Sequence, residues 1–229
     1  MDFSNYKFRC SSLGHLMTEA RSKSEYLSET TKTHLMECYI GAVFNRKKDL
    51  TNKFLTKGIE AEESSIDLLS ITQKDFYIKN ETRFSNDFIQ GTPDIVIEDQ
   101  SLVIDIKSSF DIYTFAASQK AENKMYYWQL QGYMWLTGCN KAWLSYCLVN
   151  TPDAIIEREI SKALYQSGVS ENSKEFQEYA EEMRAFHRYE DIEKSKRIFI
   201  KNYDFDSQAI EKLQERILEC RNYLNNINW

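Results

Sequence analysis

Residues 91 to 109, GTPDIVIEDQSLVIDIKSS, constrain the fold more than any other part of this chain. Two apolar runs, Ile95-Val96-Ile97 and Leu102-Val103-Ile104, flank a short polar turn, the pattern of two buried strands joined as a hairpin. Asp94, Asp105 and Lys107 are set into those runs. With the turn at Asp99-Gln100, Glu98 faces Ser101, and counting outward places Asp94 directly opposite Asp105. Directly opposed residues have Cβ atoms about 5 Å apart, and like charges there destabilise a sheet, more so when buried. Either one carboxyl is protonated or a cation sits between the two. Hard cations such as Mg²⁺ take oxygen ligands of this kind. Lys107 lies two residues beyond Asp105 and points to the same face. Pro93 cannot donate to a ladder, so Asp94 is expected where the sheet bends or opens.

A second acid stands where apolar residues are expected. Leu55, Ile59, Glu62, Ile66 and Leu69 are spaced 4, 3, 4 and 3 apart, one stripe of a helix with Glu62 in its middle. Glu60 and Glu63 fall off the stripe. A carboxylate on a core-facing stripe needs a partner. Alone it reads as a salt bridge at the edge of the core; with Asp94 and Asp105 it completes a three-carboxylate metal site. In MYYWQLQGYMWL, Gln129 and Tyr133 are i and i+4 and share a helix face with Tyr126 and Leu130.

The rest of the chain frames these features. The 229 residues include only two prolines and seven glycines, which implies long uninterrupted elements. Helices are expected over 11–22 (Ser11 or Ser12 as cap), 33–46, 53–70, 112–137, 155–166 and 172–195, with a last one from Asp206 or Ser207. Strands are expected over 74–85, 88–98, 101–109, 141–150 and 197–205. The reading is one α/β domain: a helical part over 1–52, a core over about 53–150 and a helical elaboration over 151–229. No segment reaches the roughly 18 apolar residues of a membrane span, and the start lacks a signal-peptide pattern, so a cytoplasmic location is expected. Five scattered cysteines without CxxC, and three histidines far apart in sequence, speak against a disulfide framework, a zinc ribbon or a His-rich metal site. The net charge is −6, yet residues 1 to 57 carry +4 and the remainder −10, an asymmetry compatible with a polyanion partner on the N-terminal side.

Taken together, Glu62 within KGIEAEE, Pro93-Asp94, Asp105-Ile106-Lys107 and Gln129-Leu-Gln-Gly-Tyr133 resemble the motif series of the PD-(D/E)XK nuclease superfamily: helix Glu, PD, (D/E)XK, then QxxxY. The likeness is to its phage-type exonuclease branch, which includes lambda exonuclease, the YqaJ-like proteins and the RecB-like nuclease domains. FRCSSLGHLM, 8 to 17, compares more loosely with the Arg/Ser-containing start of that branch. The resemblance implies a restriction-endonuclease-like core, a central mixed sheet flanked by helices. It implies a Mg²⁺-dependent deoxyribonuclease, with Mn²⁺ able to substitute. Asp94, Asp105, the Ile106 carbonyl and Glu62 would hold the metal. Lys107 would act on the attacking water as base or as electrostatic aid, two roles that sequence does not separate. Gln129 and Tyr133 would position the site. Ser108 and Ser109 would bond phosphate. By residue chemistry alone, Arg9 with Ser11 and Ser12 at a helix N-terminus offers a hold for a terminal phosphate, and an ordinary cap beside a surface arginine explains them at least as well; Arg83 is within reach of a phosphate, but an ordinary surface arginine is the better reading. Arg46-Lys47-Lys48 reads either as a DNA-backbone contact or as a solvated helix end. No iron–sulfur cluster is expected, because Cys139, Cys147 and Cys220 are widely spaced.

What the resemblance implies about partners is duplex DNA, a single-strand annealing protein, a possible homo-oligomer and no membrane, in the host cytoplasm if the protein is phage-encoded. A structure- or site-specific endonuclease, a non-catalytic DNA-binding or assembly protein and an α/β interaction module are the alternatives.

Overall fold

The computed structural model describes residues 1–22, 25–46, 48, 53–120 and 122–229. Among these the chain runs β1 (Phe8–Arg9), a 3₁₀ turn (Cys10–Ser12), α1 (Leu13–Leu16), α2 (Glu29–Phe44), α3 (Lys53–Glu60), α4 (Glu62–Gln73), β2 (Phe84–Ser85), β3 (Ile89–Gly91), β4 (Ile95–Ile97) and β5 (Leu102–Ser108). It continues through α5 (Ile112–Lys120), α6 (Lys124–Thr137), β6 (Lys141–Cys147), α7 (Asp153–Ser167), α8 (Lys174–Phe186), β7 (Ile198–Asp204) and α9 (Ser207–Asn225). This is an α/β fold with two sheets, ordered β4-β5-β6-β7 and β1-β3-β2.

The hairpin forms in the register read from its apolar runs. Ile95 pairs with Ile104, Val96 with Val103 and Ile97 with Leu102, so the next outward pair is Asp94 with Asp105. A 3₁₀ turn over Glu98–Gln100 closes it, with Ser101 in the left-handed region at φ 51° and its N–H on the Glu98 carbonyl. β5 then pairs parallel with β6, and β6 antiparallel with β7. Because strand side chains alternate, β5 serves two cores. Val103 joins Ala142, Leu144, Leu130 and Met134 on the face covered by α1, α6 and α9. Leu102, Ile104 and Ile106 join Ile66, Leu68 and Leu69 of α4 on the other. Burying each of these aliphatic side chains contributes about 1.5–3 kcal/mol before entropy is charged. Asp105 and Lys107, odd-numbered like Val103, lie on the α6 side.

The helix over 206–225 follows its sequence pattern. Asp206 caps it by accepting from the Ala209 N–H at 3.0 Å, and Ile210, Leu213, Ile217, Cys220 and Leu224 are all buried. Elsewhere the expected elements are shortened or split. Residues 11–22 hold only the 3₁₀ turn and the four-residue α1, and neither Ser11 nor Ser12 caps α1 by side chain. The helix expected over 33–46 begins at Glu29 instead, because Ser28 accepts from the Thr31 N–H at 3.0 Å. The helix expected over 53–70 breaks at Ala61. The strand expected over 74–85 shrinks to Phe84–Ser85. The strand over 88–98 is interrupted around Pro93, as proline's missing N–H requires. The helix over 112–137 divides into α5 and α6, the second starting at the Asn123 cap. The helix over 172–195 ends at Phe186.

α1 and α6 touch nearly backbone to backbone: a Cβ on Gly14 would lie 2.6 Å from Met125 Cα. That contact fixes the helix carrying Gln129 and Tyr133 beside the N-terminal residues. No helix among the described residues is long and apolar enough to cross a membrane.

Candidate active site

The break at Pro93 is built, not frayed. Asn80 clamps it, its N–H on the Asp94 carbonyl at 2.7 Å and its Nδ2 on the Pro93 carbonyl at 2.9 Å. Freed from the ladder, Asp94 turns its own carboxylate back to the sheet: Oδ2 accepts from the Ile106 N–H at 2.6 Å. Asp105 faces it and is 1 % exposed. Asp105 Oδ1 accepts from Gln129 Nε2 at 3.0 Å, and the same Nε2 lies 3.1 Å from Tyr133 Oη, so the i, i+4 pair on α6 acts as one clamp. Asp105 Oδ2 ion-pairs with Lys107 Nζ at 2.6 Å and has no hydrogen-bond donor otherwise. Lys107 Nζ also sits 4.7 Å from the centre of the Tyr126 ring.

The electrostatics follow from crowding acids in a poorly hydrated place. Burial, and then the charge of Asp105, push the Asp94 carboxyl up to about 7 against the opposing pull of the Ile106 N–H and Lys107. Burial alone would lower Lys107; the adjacent Asp105 carboxylate outweighs it and holds the ammonium above its ordinary range. Burial, reinforced by Asp105, likewise raises the Tyr133 phenol, so it stays protonated and donates or accepts as a neutral group.

These residues line one cleft of about 570 Å³, together with Glu62, Ile106, Ser108, Phe54, Leu55 and Ile59. The last two lie before the break at Ala61: Leu55 and Ile59 on α3 are 47 % and 66 % exposed on the cleft wall, while Ile66 and Leu69 on α4 remain in the core. The apolar stripe of the sequence is thus two half-stripes with different tasks. Glu62 opens α4 at their junction and its Oε2 accepts from Lys79 Nζ at 2.9 Å. Behind the wall, Lys57 is 0 % exposed and donates to the carbonyls of Phe110 and Val149, each at 2.9 Å. Burial pulls its pKa down to about 7, opposed by the charge of Asp111. At the end of α3, Lys53 pairs with Glu159 at 2.8 Å on the surface.

A smaller cleft of about 230 Å³ adjoins the first at Tyr133, lined by Arg9, Ser11, Arg83, Gln90, Gly91 and Thr92 among others. It gathers two of the expected phosphate-binding arginines. Ser12 does not line it, since its hydroxyl turns back to the Arg9 carbonyl at 2.9 Å; Ser11 stands there instead. Gly91 lets the two clefts meet: a Cβ there would lie 2.7 Å from Tyr133 Cε1. Ser108 lines the main cleft and bonds Ser65 across 2.8 Å, whereas Ser109 is buried and its N–H closes on the Cys147 carbonyl. Of the Arg46-Lys47-Lys48 run, Arg46 bonds local carbonyls and Lys48 pairs with Glu37, both turned to their own helix end; Lys47 lies outside the described residues.

Sequence reasoning missed Lys79 and Asn80 as members of the site, and nothing in their spacing marks them, because the segment bearing them is irregular; Tyr126 was placed on the Gln129 face by its spacing but given no role. Among the described residues, no three His, Cys, Asp or Glu side chains already converge as a ready metal centre. Asp94 and Asp105 face each other, while Glu62 is turned to Lys79. The donor set still suits a hard divalent cation: carboxylate oxygens of Asp94 and Asp105 in the cleft that Ile106 also lines, with Asp105 Oδ2 held by the Lys107 ammonium and by no other donor.

No family model and no curated protein sequence matches the chain. Solved structures do. The crystal structure of a phage-related exonuclease from Haemophilus somnus 129PT superposes with a TM-score of 0.78 at 29 % identity, over 96 % of this chain and 94 % of that one. An alkaline exonuclease from Laribacter hongkongensis superposes with a TM-score of 0.64 at 14 % identity, over 97 % of this chain and 89 % of that one. The same enzyme in complex with dAMP gives 0.63 at 15 % identity, over 96 % and 88 %. The fold is therefore that of exonucleases, the branch of the PD-(D/E)XK superfamily that the motifs resemble.

Proposed function

We propose that this chain is a divalent-metal-dependent DNA exonuclease acting on duplex ends. The observation that carries the reading is the pair Asp94 and Asp105, opposed across a hairpin, with Lys107 on the same face and Gln129 bonded to Asp105. The exonuclease fold of the neighbours supports it, and the dAMP bound to one of them supports a nucleotide substrate.

Asp94, Asp105, the Ile106 carbonyl and Glu62 would hold Mg²⁺ or Mn²⁺. When bound, such an ion lowers the pKa of water and neutralises charge on a phosphodiester. The remaining roles belong to the chain. Lys107, held as an ammonium by Asp105, orients the attacking water or offsets the charge that develops on phosphorus oxygens. Gln129 and Tyr133 keep Asp105 in one rotamer. Ser108 offers a hydroxyl at the cleft wall. Arg9, Ser11 and Arg83 in the adjoining cleft take a terminal phosphate, with Ser12 supporting Arg9 through its carbonyl. A role in phage-type recombination beside an annealing protein, assembly into a homo-oligomer and work in the cytoplasm belong to the same proposal.

Incubation with linear and closed circular duplex DNA in Mg²⁺, beside Asp105→Asn, tests it. Loss of linear DNA alone, absent in the variant, is the expected result. Cutting of the circle would move the reading to an endonuclease on this fold. A folded protein that cuts neither would refute catalysis and leave a DNA-binding or assembly role.

A further inference from the structure

We propose that Lys79 is a resident counter-cation of the carboxylate site: it holds Glu62 until a divalent metal takes that carboxylate, and its released ammonium then meets the phosphate backbone of the bound DNA. This rests on the metal-dependent reading above and adds a residue that no motif marks.

The geometry is specific. Lys79 Nζ lies 2.9 Å from Glu62 Oε2, and the charges of Asp94 and Glu63 also reach it. The position of Lys79 is not left to a wandering loop. Its neighbour Asn80 is tied by N–H and Nδ2 to the carbonyls of Asp94 and Pro93, and Asn80 Oδ1 accepts from the Thr82 N–H at 3.1 Å. The irregular segment after α4 is thus stapled along the Pro93-Asp94 break and delivers an ammonium to the cleft rim. Two lysines consequently face the three acids: Lys107 on Asp105 and Lys79 on Glu62. Lys107 belongs to the motif; Lys79 accounts for why Glu62 is turned aside and the three carboxylates do not converge.

The strength of the pair suits exchange and not scaffolding. Lys79 and Glu62 side chains are 47 % and 21 % exposed, and a solvated ion pair contributes little to stability. A doubly charged ion beside Asp94 and Asp105 competes for Glu62 with an advantage that a single ammonium lacks. Lysine's four-carbon stem then swings the charge outward, where a DNA phosphate is the anion available.

The test uses Mn²⁺ alone, then a linear duplex oligonucleotide in Ca²⁺, on the wild type and on Lys79→Met and Lys79→Gln. Without DNA, both variants are expected to bind Mn²⁺ about fivefold more tightly by calorimetry, the equivalent of ~1 kcal/mol of lost competition. With DNA, the slope of log affinity against log salt is expected to fall by about 1, the signature of one phosphate contact removed. Wild-type binding of Mn²⁺ with no gain in the variants, or an unchanged salt slope, overturns the role of Lys79 while leaving the metal site standing. A wild type that binds no Mn²⁺ overturns the metal-dependent reading and this inference with it.

Discussion

Replacing Asp94 by Asn removes one negative charge from the cleft while keeping the shape of the side chain. Asn Oδ1 can still accept from the Ile106 N–H, so the ladder closure at 2.6 Å survives. What changes is the cost of ionisation. Burial and Asp105 raise the Asp94 carboxyl from 3.8 to about 7 in the folded protein. The folded pKa lies above the unfolded one, so the folded state binds the proton more tightly between about pH 4 and 7. The stability tied to that proton is full below pH 4 and is lost as pH rises through 7. The interval corresponds to ~4 kcal/mol at most, and halving it for residual solvent screening leaves ~2 kcal/mol. At pH 8 in chelator, Asp94→Asn is therefore expected to be the more stable protein, by about 4–8 °C in Tm for a chain of this size. The advantage should vanish near pH 4. Added Mg²⁺ should raise the Tm of the wild type and do little for the variant, because only the wild type offers the second charge. Thermal melts across pH with and without Mg²⁺ measure all three. A variant no more stable than wild type at pH 8 without metal would refute the idea that two ionised acids are crowded here, whatever the nuclease activity.

Two further outcomes follow from the packing. Gln129→Leu leaves the buried Asp105 Oδ1 without its donor and is expected to cost about 1–3 kcal/mol in urea unfolding, with cleavage lost beyond what the stability change explains. Gly14→Ala places a Cβ 2.6 Å from Met125 Cα, which only a backbone shift relieves; about 1–3 kcal/mol of overpacking outweighs the ~1 kcal/mol gained in helix propensity, a net loss that denaturant melts should show.

The hairpin was legible because strand periodicity is two and its turn is short. Once Glu98 faces Ser101, the opposition of Asp94 and Asp105 follows by counting, and the observed register agrees. The cap at Asp206 and the apolar stripe after it were legible for the same reason, a strong local signal agreeing with burial. The break at Ala61 was not. A 4-3-4-3 stripe looks the same whether it is one helix or two, and alanine is no helix breaker. β1 escaped notice, and β2 and β3 came out far shorter than the strands expected around them, because strands of two or three residues carry too few side chains to show alternation. Lys79 escaped because its place depends on Asn80 meeting Pro93 and Asp94, a contact between segments 13 and 14 residues apart that no spacing announces.

The fully buried Lys57 bears on how the cleft responds to ionic strength. The helix that walls the cleft is fastened at two points, by Lys57 to two carbonyls out of reach of water and by Lys53 to Glu159 on the surface. Dissolved ions screen the second, over a Debye length of about 8–10 Å near physiological salt, and hardly touch the first. Contacts to a phosphate backbone weaken steeply over the same range. Raising salt would therefore loosen the proposed hold on DNA long before it loosens the wall, whose shape rests on a buried lysine amine that salt does not reach.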